Sequence, residues 1–85
     1  MTFEERNKIV LETIAKVQTI HDKYTSSLKI LSDQEWKQYI DSMSLIPNPY
    51  RDTNLEDLIG DLVMVFLNDT ERMQKKLRNI KEVAQ

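Results

Sequence analysis

The sequence has no cysteine, one glycine, two prolines and one histidine among 85 residues. Each scarcity removes a class of explanation. Without cysteine there is neither a disulfide nor a thiolate metal site, and a lone histidine, His21, excludes any centre that needs two imidazoles. Turns and hairpins consume glycine and proline, so their near absence favours helix over sheet. The longest apolar run, Leu62 to Leu67, has six members, against about 20 for a membrane-spanning helix. The opening stretch MTFEERNK is charged from its fourth residue and lacks the apolar core and small-residue cleavage site of a secretory signal. The expectation is a soluble chain in a reducing, cytoplasmic compartment, working without a cofactor.

A chain this short makes one domain and buries only roughly 60–65% of its extended surface. Small domains compensate with disulfides, metals or oligomerisation. Here oligomerisation is the remedy left over. The formal net charge of −2 hides a segregation: residues 1–31 carry +1, residues 32–71 carry −7 and residues 72–85 carry +4. The middle of the chain is acidic and its tail basic.

The spacing predicts three helices. Thr2 with Glu5 has the form of a capping box. After it, Phe3, Val10, Ile14, Val17, His21, Tyr24, Leu28 and Leu31 recur at steps of three and four once Asn7 fills the gap, a heptad seam over residues 3–30. Ile9, Leu11 and Ile20 widen it. Ser32 with Glu35 opens a second helix over 33–44, with Trp36, Tyr39, Ile40 and Met43 on one face. Pro47 and Pro49 make residues 45–53 a rigid loop. Thr53 with Glu56, or Asn54 with Asp57, caps a third helix over 54–83, whose buried side is Leu55, Ile59, Leu62, Phe66, Met73, Leu77, Ile80 and Ala84.

In its first half this third helix is apolar on nearly every face. A helix apolar all round must be covered all round, and each large side chain left wet forgoes roughly 1.5–3 kcal/mol. The predicted architecture is therefore all-α: a long antiparallel hairpin with a short middle helix, completed to a four-helix-type bundle by homodimerisation through Leu58, Leu62, Val63, Val65, Phe66 and Met73. An antiparallel hairpin would also lay the basic tail beside Glu4, Glu5 and Glu12.

The segment LEDLIGDLVMVFL, residues 55–67, resembles the third-helix segment of MazG-like nucleotide pyrophosphohydrolases, all-helical oligomers in which an acidic pair binds magnesium opposite further glutamates. The resemblance implies Asp57 and Asp61 as metal ligands. These stand four apart where that family steps by three, and residues 1–45 hold no Glu-x-x-Glu pair to face them. Acids complementing a helix start account for them more simply.

The other candidates have equally plain readings. His21 at a heptad core position fixes register. Thr25, Ser26 and Ser27 lack a base that would make a nucleophile. Gly60 inside a helix marks close helix approach. Arg72, Lys75, Lys76 and Arg78 form a basic stripe that could meet nucleic acid, but no aromatic interleaves to stack on bases, and cations suit a helix C-terminus. The expected role is a non-catalytic helical regulator, adaptor or inhibitor, suited to an accessory or phage-type protein. It self-associates and binds a protein partner through Trp36, Tyr39, Tyr50, Asp52, Glu56 and Asp57, although the simpler use of Trp36, Tyr39, Ile46 and Tyr50 is to seal the end of the bundle.

Overall fold

The computed structural model describes residues 1–84, with side chains described as far as Ile80. Its elements are α1 (Phe3–Thr25), α2 (Asp33–Ser44), a single 3₁₀ turn at Asn48–Tyr50, and α3 (Glu56–Ala84). No strand occurs among the described residues, and no described helix is long and apolar enough to cross a membrane.

The helix starts follow the capping residues. Thr2 Oγ1 accepts the Glu5 N–H at 3.1 Å, although Glu5 Oε1 accepts from the Thr2 hydroxyl instead of returning to the cap amide. At α2 the box is complete: Ser32 Oγ accepts from Glu35 N–H and Glu35 Oε1 from Ser32 N–H, both at 3.1 Å. Lys29 Nζ lies 2.9 Å from Glu35 Oε2 and, with the Ser32 amide, holds that carboxyl below its ordinary range. At α3 the pattern shifts. Thr53 Oγ1 accepts from Leu55 N–H at 3.2 Å, while Glu56 Oε2 reaches past it to Asp52 N–H at 3.0 Å.

The helix direction corrects the expected antiparallel hairpin. His21 of α1 meets Phe66 and Asp69 of α3, and Lys29 and Leu31, farther along the chain, meet Gln74, farther along α3. The two long helices run the same way. Between them α2 runs back: the chain just before it touches Gln74, Tyr39 touches Thr70 at 2.8 Å, and Ser44 shares a hollow with Gly60 and Asp61. The reason is geometric. Twelve residues of α2 retrace about 18 Å at 1.5 Å per residue, returning the chain to the middle of α1 before α3 begins. The fold is up-down-up, staggered to 55 × 20 × 18 Å.

The basic stretch from Arg72 therefore lies beyond the C-terminal end of α1, away from Glu4, Glu5 and Glu12. Two parallel helices align their macrodipoles. The acids Glu4, Glu5, Glu56 and Asp57 in their first turns offset this.

The core gathers Val17, Tyr39, Met43 and Val63, with Ile20, Tyr24, Trp36, Ile46, Phe66 and Leu67 packed against it. Leu55 and Ile59 are fully buried as the periodicity predicts, but Leu62, Phe66, Met73 and Leu77 are half-buried and Ile80 is exposed. Ala84 lies outside the described side chains. The buried stripe continues instead through Thr70 and Gln74. These polar side chains can lie inside because each has partners, and no buried side-chain nitrogen or oxygen among the described residues is left without one.

The first helix ends at Thr25, five residues short of the expected end at residue 30. Three β-hydroxyl residues in succession are weak helix formers, and Thr25 Oγ1 donates back to the His21 carbonyl at 2.7 Å. Leu28 then takes a left-handed conformation, φ 52°, with its side chain 65% exposed. That conformation costs a branched residue about 1–2 kcal/mol, of which glycine's greater unfolded freedom returns about 0.5–1. Leu28→Gly is expected to raise stability by about 0.5–1 kcal/mol, seen as a higher urea midpoint at unchanged slope.

Candidate functional site

The most developed concavity is a groove between α2 and α3. It consists of two adjoining hollows that share Met64 and Leu67. The first, about 440 Å³, is walled by Trp36 and Ile40 of α2 and runs along α3 to Lys75 and Arg78. The second, about 940 Å³, lies against the proline loop and is edged by Asp52, Glu56, Asp57 and Asp61, with Arg51 and Gly60 beside them. The groove is thus acidic at one end, apolar in the middle and basic at the other. The physical cause is the heptad spacing along α3: Asp57, Asp61, Met64, Asn68, Glu71, Lys75 and Arg78 advance by alternating fours and threes, which keeps them on one face.

Asp57 and Asp61 are exposed at the acidic end. Among the described residues no group of three or more His, Cys, Asp or Glu side chains is arranged to hold a metal ion.

Of the residues expected to meet a partner, Asp52, Glu56 and Asp57 are exposed, and Trp36 and Tyr50 are half-buried. Tyr39 takes the sealing role and not the partner-binding one: it is fully buried, because its position on α2 points between α1 and α3. Val63 is likewise corrected from the expected interface, being 4% exposed in the protomer's own core. Leu58, Leu62, Phe66 and Met73 are half-buried, and Val65 is 61% exposed. Arg72, Lys75, Lys76 and Arg78 are all exposed. Glu71 and Lys75, four apart on the helix, pair at 3.6 Å.

A second constellation escaped the sequence reading. His21 Nε2 lies 3.3 Å from Asp69 Oδ2, and His21 Nδ1 lies 3.4 Å from Thr25 Oγ1. The order hydroxyl, imidazole, carboxylate is that of a nucleophile with its base and orienting acid. The signal was present in the four-residue step from His21 to Thr25, which shares one helix face. The geometry nevertheless serves packing. Thr25 is 7% exposed, its proton goes to the His21 carbonyl at 2.7 Å, and the imidazole packs edge-to-face on Phe66 with ring centroids 5.2 Å apart. The cluster joins α1 to α3.

Gly60 is also corrected. A Cβ built there meets nothing within 4 Å, so the protomer has no close helix approach to protect. A glycine within a helix costs about 1 kcal/mol against alanine. Gly60→Ala is expected to stabilise the protomer by about that amount, measured as thermal midpoint in dilute solution.

Comparison of the chain with protein-family models, with curated proteins and with solved structures finds no match.

Proposed function

We propose that this chain is a non-catalytic helical interaction protein, a regulator, adaptor or inhibitor that self-associates and engages a second protein through its acidic, proline-loop end. The observation that carries this reading is the apolar surface α3 leaves uncovered. Met64 is 50% exposed and Val65 61%, with Leu58, Leu62 and Leu67 half-buried around them. At the loop end, Asp52, Glu56, Asp57 and Asp61 crowd carboxylates around one mouth. Such a surface favours a partner presenting cations, because complementary potentials steer the encounter and suppress wrong partners. A small accessory protein, including one of phage or mobile-element origin, suits this role.

Sedimentation of the full chain from low to high micromolar concentration tests the reading. A reversible rise from the 10.1 kDa protomer toward twice that mass supports it, and a cooperatively melting monomer throughout refutes it. Magnesium-dependent pyrophosphate release abolished by Asp57→Ala would replace it with a hydrolase. Salt-sensitive nucleic-acid binding lost on neutralising Lys75, Lys76 and Arg78 would replace it with a nucleic-acid binder.

A further inference from the structure

We infer that the α2–α3 groove seats a second copy of this chain, laid antiparallel so that α3 packs on α3 about a two-fold axis passing between Leu67 and Asn68. The inference rests on the self-association proposed above and specifies its surface.

The charge order along the groove selects the occupant. Asp57 and Asp61 lie at one end, Met64 and Leu67 in the middle, Lys75 and Arg78 at the other. Reversal about a two-fold axis converts this sequence into its own complement, which is what an isologous interface demands. The register is fixed by the same residues. The segment from Asp57 to Arg78 and the segment from Asp61 to Lys75 share their midpoint, at Leu67 and Asn68, to within half a residue. One antiparallel register therefore brings Asp57 to the second copy's Arg78 and Asp61 to its Lys75, and symmetry makes each pair twice. Lys75 is free to join in: its side chain is 68% exposed even with Glu71 at 3.6 Å, and an ammonium has three protons to donate.

The apolar middle supplies what charges at a rim do not. Ile40 is 45% and Met64 50% exposed on facing walls of the groove. Closing the groove removes both from water within a rim of polar groups, the usual anatomy of a protein interface. Gly60 gains a purpose that the protomer does not give it. With open space where its Cβ would stand, it leaves room for the stem of the second copy's Lys75. The seam thus runs along the flank of Met64 and Leu67, and Leu58, Leu62 and Val65 lie to one side of it.

Two measurements test this on the full chain. The native sequence has no cysteine, so a single introduced thiol reports its own neighbourhood. In the exposed positions Asn68→Cys and Val65→Cys, mild oxidation should cross-link the first rapidly and the second slowly. Asp61→Lys should weaken the dimer about tenfold or more, and Asp61→Lys combined with Lys75→Asp should restore it to within about threefold. Cross-linking at Asn68 with charge-swap recovery establishes the seam. A dimer that cross-links through Val65, or one indifferent to both swaps, overturns the seam and leaves self-association standing. A chain that sediments as a monomer overturns both.

Discussion

Replacing Gln74 with leucine is expected to destabilise the protomer by about 2–5 kcal/mol, although leucine is the more hydrophobic residue and fills a similar volume. Gln74 is 1% exposed. Its Oε1 accepts the Leu31 N–H at 2.8 Å and its Nε2 donates to the Lys29 carbonyl at 3.0 Å. One side chain on α3 thereby supplies the donor and the acceptor that the irregular backbone between α1 and α2 cannot find within itself. Leucine would orphan both groups, at about 1–3 kcal/mol each, offset in part by better apolar burial. For 85 residues total stability is of the order of 4–13 kcal/mol, so the loss is a large share of it. Urea unfolding should show the midpoint fall, and the Leu31 amide should exchange with solvent far faster than its neighbours. Gln74→Glu separates hydrogen bonding from shape. At neutral pH its carboxylate still accepts from Leu31 but faces the Lys29 carbonyl with no proton. Burial raises such a carboxyl's pKa above its unfolded value, so stability should recover as pH falls and the acid regains a proton to donate. Equal losses at pH 5 and pH 8 would refute the hydrogen-bond account.

Gln74 also shows where sequence reading stops. That the chain is all-helical with three helices follows from the lack of glycine and proline and from heptad spacing, and the caps at Thr2 and Ser32 are visible as single residues followed three later by glutamate. Those are local signals, decided within one turn. Hydrophobic periodicity, however, gives each helix a face and not a direction, so the parallel run of α1 and α3 was not legible. Leu28 and Leu31 continue the α1 seam in spacing, and the left-handed turn at Leu28 that interrupts it is stabilised from α3, more than 40 residues away. Thr70 and Gln74 look like surface residues because their partners, Tyr39 and the Lys29–Leu31 backbone, are brought to them only by the fold. The groove itself was half legible. The charge segregation is in the sequence, but its arrangement as acid, apolar and base along one face needs α2 in place to wall the middle.

Tyr39→Ala is expected to cost about 3–5 kcal/mol, as a loss of core packing and not of a surface contact. On α2 the sequence places Tyr39 on one face with Trp36, Ile40 and Met43. The structure separates them by one helical step: Trp36 stays at the groove wall, and Tyr39 turns inward. Its ring packs against Tyr24 and Trp36 with centroids 5.2 and 5.6 Å apart, and its hydroxyl lies 2.8 Å from Thr70 Oγ1. Thr70 spends its own proton on the Phe66 carbonyl at 3.0 Å, so Tyr39 is the donor between them. That assignment gives the series a direction. Tyr39→Phe removes a donor whose acceptor remains otherwise bonded and should cost about 1 kcal/mol, whereas Thr70→Val strands a phenolic proton in the core and should cost about 1–3 kcal/mol. Burial raises the Tyr39 pKa above its ordinary value. In the unfolded chain the phenol ionises near pH 10, while in the folded protein it stays protonated to higher pH. The unfolded state then holds fewer protons, so stability is complete below about pH 10 and falls as pH rises toward the folded value. Tyr39→Phe should flatten that alkaline decline. A Tyr39→Ala protein that melts like the parent would return this residue to the surface and break the packing scheme on which the groove depends.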